Sequence, residues 1–441
     1  MGLFSRQAKQ AQEEPRALSA LQLQTLQYSS SVAAAEPKAP RSTKRVGSDD
    51  DDQRRAKPLN DRLSYWLFVG PVFLGIAAAA AIIALGAIKT LPKDKFCLVL
   101  HEDFSSGTLD PAIWQRQVET GGWGNKEFEW TTDSTNNSYI QDGMLHIVPT
   151  LTSDQLGEAA IMDGYTLNLT HNGCTASNQS DAFCAVKSNA TTGTILPPIQ
   201  SARLSTNIST AIKYGKVEVR ARMPTGDWLW PAIWMMPRHD TYGGWPSSGE
   251  IDIMEGKGNR PKKRTDEDSN VMKSTLHWGP DPGASALDGY AKTYKGRRLY
   301  RDYYDQSFHT FGLEWTDKHI FTYDNSPVFK NFAMKWVQGG FWKLGNWPLY
   351  SANGTTLLKN PWGSSVSAPF DQEFYLILNV AVGGANGYFE DGKDDNKPWL
   401  NSASNPARDF WLSRNDWLPT WPKDPAQRGM VVDWVKIWQK C

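Results

Sequence analysis

The sequence has no surplus of charge of either sign: 47 Lys+Arg stand against 47 Asp+Glu in 441 residues. A dedicated nucleic-acid binder would carry a basic excess, so nucleic acid is not the expected partner. Cysteine is scarce. The four present, Cys97, Cys174, Cys184 and Cys441, are too few for a disulfide-dense miniature scaffold and show no C-x-x-C zinc spacing. No internal repeat is visible, and long apolar runs are missing but for one. Tryptophan is what the chain has in excess, at 20 residues, together with 36 Gly and 26 Pro. That mixture points to a turn-rich β protein. Indole faces stack on the C–H faces of sugars, which makes carbohydrate the first substrate class to test; filling a large core is the competing use for the same residues.

The single long apolar run is 66–88, WLFVGPVFLGIAAAAAIIALGAI, which carries no charge. At about 1.5 Å per residue it reaches about 35 Å, enough for a hydrocarbon core of about 30 Å. It is too long and too far along the chain for a cleavable signal peptide, and it lacks the polar face of a soluble surface helix. The expected organisation is a disordered cytoplasmic tail over 1–62, a transmembrane signal-anchor helix over 63–88, a short linker over 89–95 and a folded domain over 96–441. The tail is rich in Gln, Ala, Ser and Pro with an acidic run Asp49–Asp52. Leu18, Leu21 and Leu26 offer it at most a short amphipathic turn.

Orientation follows from three features. Arg54, Arg55, Lys57 and Arg62 precede the run and Lys89, Lys93 and Lys95 follow it, a small bias toward a cytoplasmic N-terminus. The N-x-S/T sequons, at Asn136, Asn168, Asn178, Asn189, Asn207 and Asn353, all follow it and are expected glycosylation sites. So do all four cysteines, as in an oxidising compartment. A single-pass type II membrane protein with its domain lumenal or extracellular satisfies all three. Cys174 with Cys184 would staple one loop and Cys97 with Cys441 would join the ends of the domain, one of three connectivities open to four cysteines.

Within 96–441 the patterning is that of strands. In KVEVRARM (216–223), Val217, Val219, Ala221 and Met223 share one face while Glu218, Arg220 and Arg222 share the other. FYLILNVAV (374–382) is nearly all apolar, as for a strand covered on both faces. HIFTYDNSPV (319–328) reads as a hairpin turning at Asp324-Asn325, and VVDWVKIWQ (431–439) as a closing strand. Two antiparallel sheets packed face to face, with long loops, accommodate these segments. The basic run Arg260-Pro261-Lys262-Lys263-Arg264 reads as a solvated loop.

The chemically informative stretch is Gly249-Glu250-Ile251-Asp252-Ile253-Met254-Glu255-Gly256. Three carboxylates within six residues of an apolar strand are costly to bury. Regular alternation puts Glu250 and Asp252 on one face and Glu255 on the other. A one-residue bulge at Ile253-Met254 returns Glu255 to the first face, with Ile251 and one of Ile253 or Met254 in the core behind. Two glutamates leaning together across Asp252 then bring their carboxyls to about 5–5.5 Å, the spacing for double displacement at a sugar. An acidic surface strand or a Ca²⁺ site is the alternative use of such a cluster. The flanks are rich in aromatics: GDWLWPAIW (226–234), GGWP (243–246) and STLHWG (274–279) supply apolar platforms and polar anchors for a pyranose groove.

With these motifs the sequence resembles glycoside hydrolase family 16, in its branch of β-1,3-glucanases (laminarinases) and β-1,3-glucan-binding proteins. The resemblance runs through GGWGN (121–125), SARL (201–204), YGKVEVRAR (214–222), GEIDIMEG (249–256), STLHWGP (274–280), GLEWT (312–316), LNVAVGG (378–384) and VDWVKIW (432–438). It implies an all-β, concanavalin A-like β-jelly-roll sandwich of two antiparallel sheets, one forming a glucan groove. It implies a retaining endo-β-1,3-glucanase with Glu250 as nucleophile, Asp252 as its helper and Glu255 as general acid/base. Trp230, Trp245 and His277 match positions beside the cleaved bond, and Trp123, Asn125 and Arg203 match positions along the groove. Trp234 is assigned to the core, and Trp278 to either use. The implied partner is β-glucan polysaccharide. No cofactor is required. Ca²⁺ between the first and last strands, as in some relatives, would involve acids such as Asp103 and Asp433, and the metal is left open. Two other functions fit the same residues: a β-glucan transglycosylase or wall-glucan assembly factor, and a non-catalytic β-1,3-glucan receptor, since some relatives have lost glutamates that this chain keeps.

Overall fold

The computed structural model describes residues 58–90, 94–171, 173–263, 266–393 and 396–441. The expected tail, with Leu18, Leu21, Leu26 and Asp49–Asp52, lies outside the described residues as far as residue 57, and so does Arg264 of the basic run.

Pro58–Thr90 is one helix of 33 residues that continues through Pro71. Its segment Tyr65–Gly86, 22 residues with mean hydropathy 2.4, is long and apolar enough to cross a membrane. Leu67, Phe68, Phe73 and Leu74 are all exposed along it, which is the opposite of a soluble core helix.

The remainder is a jelly-roll sandwich of two eight-stranded antiparallel sheets. In neighbour order, the first sheet is Lys330–Lys335, His319–Asp324, His309–Trp315, Gly215–Arg222, Met430–Lys440, Met144–Ile147 and Ser138–Gln141, with Phe96–Glu102 also paired to Met430–Lys440. The second is Tyr294–Arg298, Val271–His277, Glu250–Glu255, Leu229–Pro237, Phe374–Val382, Arg203–Ser205 and Gln115–Gln117, with Ala211–Ile212 also on Phe374–Val382. Alternation drives the first sheet: Val217, Val219 and Ala221 are fully buried while Glu218, Arg220 and Arg222 are half-buried. The apolar strand Phe374–Val382 lies inside the second sheet, between Leu229–Pro237 and Arg203–Ser205. Asn325, with φ of 61°, turns His319–Asp324 toward Lys330–Lys335. A further three-stranded sheet contains a parallel pair, Glu129–Thr131 with Ile199–Ser201, a departure from the all-antiparallel expectation.

One core cluster spans both sheets, joining Val217, Leu313 and Val435 of the first to Ile233, Ile251 and Leu378 of the second. Trp114, Trp228, Trp278, Trp315, Trp411 and Trp417 are among its largest fully buried side chains or those beside it. Core filling therefore takes a large part of the tryptophan excess. Trp278 belongs to it, with its Nε1 donating to Thr293 Oγ1 at 2.7 Å. The disulfides are Cys97–Cys441 and Cys174–Cys184. The first ties the paired ends of the domain, where Phe96 faces Lys440. The basic run is an exposed loop: Arg260 pairs with Asp305, and the Lys262 and Lys263 backbone N–H groups donate to Asp266.

Candidate active site

The acidic strand Glu250–Glu255 is entered through Gly249, whose φ of 85° lies in the left-handed region that a side chain would strain. Against Leu229–Pro237 its partners run Met235↔Ile251, Trp234↔Asp252, Ile233↔Met254 and Ala232↔Glu255, so Ile253 is the extra residue. Against Val271–His277 the same step appears, Asp252 facing Thr275 and Glu255 facing Lys273. This is a β-bulge, and it returns Glu255 to the face of Glu250 and Asp252. The Ile253 carbonyl, taken out of the regular ladder, accepts from Ser274 Oγ at 2.7 Å. Ile251, Ile253 and Met254 all enter the core. The expectation that only one of Ile253 and Met254 would do so is corrected: a bulge turns two consecutive side chains to the same side.

Residues opposite one another in a ladder share a face. Register therefore lays one row across the sheet: Gly296, Lys273, Glu255, Ala232, Asn379, Arg203 and Gln117. A second row runs through Tyr294, Thr275, Asp252 and Trp234, and Glu250 faces His277 beside it. The cross-strand direction is thus lined by acids at its centre, by aromatics and a buried guanidinium on one wing, and by His277 and tyrosines on the other.

Each glutamate is aimed by an indole. Trp245 Nε1 donates to Glu250 Oε2 at 2.6 Å, and Trp230 Nε1 donates to Glu255 Oε1 at 3.0 Å. Burial pushes the Glu255 carboxyl up; nearby His277 opposes this and the Glu250 charge adds to it. Burial, then the Glu250 and Glu255 charges, also hold Asp252 well above the usual carboxylate range. His277 Nε2 lies 3.2 Å from Asp252 Oδ2, and its Nδ1 lies 2.5 Å from Asp288 Oδ2. Burial alone would lower His277, but Glu250, Asp252 and Asp288 outweigh it and hold the imidazole protonated well above its ordinary range. The group can move protons and place a carboxylate against an electrophilic carbon in a site largely shielded from water.

On the first wing Arg203 lies between two rings, its guanidinium carbon 3.7 Å from the Trp123 centroid and 4.6 Å from that of Trp234. Its Nε donates to Gln117 Oε1 at 2.8 Å. Asn125 donates to Glu127 and accepts from Asn386, both at 2.9 Å. The core assignment of Trp234 is corrected. Leu229–Pro237 alternates, so Trp234 falls on the face of Asp252, is only half-buried, and donates to Asn379 at 2.7 Å.

Sequence reasoning missed several members. Tyr388 stacks on Trp230, with ring centroids 3.9 Å apart and planes 5° from parallel. Tyr290, nearly half exposed, stacks on His277 at 5.6 Å, and Asp288 holds both its backbone N–H and the His277 ring. These residues sit in loops without periodicity, where only a Tyr in a Gly/Asn-rich turn after LNVAVGG could have drawn attention. Glu119 and Glu129 were also missed; Glu119 is buried near Arg203 and Glu127, Glu129 is buried near Glu127, and burial dominates and raises both carboxyls.

Asp103 and Asp433 each have a partner of their own. Asp103 accepts from Ser105, and Asp433 pairs with Arg220. Among the described residues the group of three close donors is Glu250, Asp252 and His277. Of the sequon residues, Asn136, Asn168, Asn178 and Asn353 are exposed, and Asn189 and Asn207 are half-buried.

A model of the glycosyl hydrolases family 16 matches residues 157–341. A β-1,3-glucan-binding protein of Penaeus monodon is 37% identical over 389 residues, 83% of this chain and 98% of the relative. A glucan endo-1,3-β-glucosidase of Cryptopygus antarcticus is 30% identical over 298 residues, 66% of this chain and 84% of the relative. The laminarinase of Rhodothermus marinus is similar in structure with a TM-score of 0.47 at 24% identity, over 79% of this chain and all of that one.

Proposed function

The chain belongs to glycosyl hydrolase family 16, and from that premise we propose that it is a retaining endo-β-1,3-glucanase held at a membrane by the helix Pro58–Thr90. The observation that carries the reading is the bulge that puts Glu255 beside Glu250. In the first step the Glu250 carboxylate attacks the anomeric carbon. The bond to the departing sugar breaks, and Glu255 delivers its proton to the leaving oxygen. Burial and the Glu250 charge keep that proton on Glu255 beforehand. Forming the glycosyl ester removes the Glu250 charge that had raised Glu255, so Glu255, its proton given away, stays ionised and is available as the base of the second step. It then takes a proton from water as that water attacks the same carbon and the bond to Glu250 breaks, freeing its carboxylate, and the two inversions retain configuration. His277, protonated among Glu250, Asp252 and Asp288, lets the carboxylates sit together and fixes Asp252 beside the nucleophile. These steps call on no metal or cofactor.

The test is incubation of the purified full chain in detergent with laminarin. New reducing ends and shorter oligosaccharides are expected, and their absence over the whole pH range removes hydrolysis. The name of the Penaeus monodon relative favours a second reading, a glucan receptor without turnover. That reading requires Glu250→Gln and Glu255→Gln to bind laminarin and act in cells as the parent does. Transglycosylation would instead lengthen a labelled acceptor oligosaccharide with little net hydrolysis. The helix composition and the two disulfides favour a type II arrangement with the sandwich in the secretory lumen or outside the cell. Protease added to sealed membranes checks this, since an external or lumenal domain is cut only from its own side.

A further inference from the structure

A cavity of about 600 Å³ opens away from the acidic strand, in the range of about 300–1,000 Å³ usual for small-molecule sites. Its wall draws on four separate parts of the chain. Tyr139 comes from the edge strand Ser138–Gln141, Asp154 and Gln155 from the short helix Thr152–Leu156, Gln200 from Ile199–Ser201, and Arg428 from near the C-terminus. Beside the apolar Val148, Leu151 and Pro425, the lining offers amides, a carboxylate, a guanidinium and one aromatic ring, an amphipathic mixture suited to the polar edges and C–H faces of a sugar. It is also fixed in place. Tyr139 has one ring face stacked on His146, centroids 5.0 Å apart and planes 5° from parallel. Gln200 Nε2 donates to Gln155 Oε1 at 2.8 Å, and Arg428 is anchored on the Pro149 and Pro422 carbonyls at 3.0 and 2.8 Å.

Asn136 also lines the cavity, exposed in the turn before that edge strand and followed by the Ser138 of a sequon. The other sequon residues, Asn168, Asn178, Asn189, Asn207 and Asn353, are absent from the lining. A sugar attached to Asn136 stands at the cavity mouth by covalent necessity, so its effective concentration there needs no intrinsic affinity. We infer that the cavity is the seat of the chain's own Asn136-linked glycan, and that its first N-acetylhexosamine units lie among Tyr139, Gln155, Gln200 and Arg428. The glycan then braces the edge strand, the short helix and the C-terminal segment together. This rests on the lumenal placement proposed above and is independent of the catalytic reading.

The test uses the full chain made in a glycosylating eukaryotic host and solubilised in detergent. Glycopeptide mapping follows release by an amidase that cuts between asparagine and the first sugar, on native and on denatured protein. The glycan at Asn136 is expected to be released at least tenfold more slowly than those at Asn168, Asn178 and Asn353 in the native chain, and equally fast once denatured. Tyr139→Ala and, separately, the surface change Gln155→Ala are expected to bring native release at Asn136 up to the rate of the exposed sites without changing its occupancy. An unmodified Asn136 in a chain glycosylated elsewhere, or native release at the common rate, overturns the inference. So does protection that survives both cavity variants. Absence of glycan at every sequon overturns the lumenal placement and this inference with it.

Discussion

Glu119 offers a perturbation whose size can be worked from its surroundings. It is 5% exposed, bridged to Thr131, and faces Arg203 and Glu127. Burial raises its carboxyl, Arg203 opposes, and Glu127 adds, leaving it at about 7 against 4.5 when unperturbed. The folded chain therefore holds a proton that the unfolded chain has already released between these values. Stability from this group is fully present below about pH 4.5, falls as pH rises, and levels off above about pH 7. At about 1.4 kcal/mol per unit the interval amounts to roughly 3 kcal/mol. Glu119→Gln removes the titration and keeps the shape. Melting temperatures of parent and variant at pH 5 and pH 8 should therefore separate by about 2–4 °C more at the higher pH, with the variant gaining. Equal separation at both pH values would refute the reasoning, because the carboxyl would then titrate alike in the folded and unfolded chains. Arg203, held between Trp123 and Trp234, lies close to Glu119, so the same titration reaches that wing of the sheet.

Three further outcomes follow from the site. Glu255→Gln should lower kcat/KM on laminarin by about 10²–10⁴. In the parent enzyme activity should fall as pH rises through the raised value of Glu255, a limb that the pH–rate profile of the variant should lack. Replacing Cys174 and Cys184 with Ala opens a loop of ten-residue separation, at a cost of about 2–3 kcal/mol by loop entropy. Because Thr120 N–H donates to Phe183 carbonyl at 2.7 Å beside the Trp123 turn, KM for laminarin should rise along with the loss in melting temperature. Tyr290→Ala should leave stability within about 0.5 kcal/mol, since the residue is nearly half exposed and outside the hydrophobic core. It should weaken binding of long laminari-oligosaccharides about threefold to tenfold by calorimetry, through loss of a stacking face beside His277.

How far the sequence reached depended on whether a residue's role was local. Alternation in Gly215–Arg222 and the unbroken apolar run of Phe374–Val382 are local signals, and both strands form where those patterns lie. The bulge was legible because three acids at positions 250, 252 and 255 cannot share a face on a regular strand. Trp234 is placed on the face of Asp252 by alternation counted from Trp230, a count that the core assignment leaves out. One of Ile253 and Met254 was expected in the core; that both enter it escaped because regular period-2 counting fails at the bulge. Tyr388, Tyr290, Asp288 and Glu119 reach the site only through loop paths and long-range pairing, which one sequence does not encode periodically. Tryptophan number was an ambiguous guide, since Trp228, Trp278 and Trp315 fill the core while Trp230 and Trp245 bond the two glutamates.

The claim on which the account turns is that Glu250 becomes covalently attached to sugar while Glu255 handles the proton. Exposure of the full chain to a slow-turnover 2-fluoro laminaribiosyl donor with a good leaving group, followed by peptide mass mapping, reads this directly. The account predicts one disaccharide adduct on the peptide containing Glu250, absent from Glu250→Gln. No adduct on a chain that cleaves laminarin, or an adduct on Glu255 or any other residue, would contradict it.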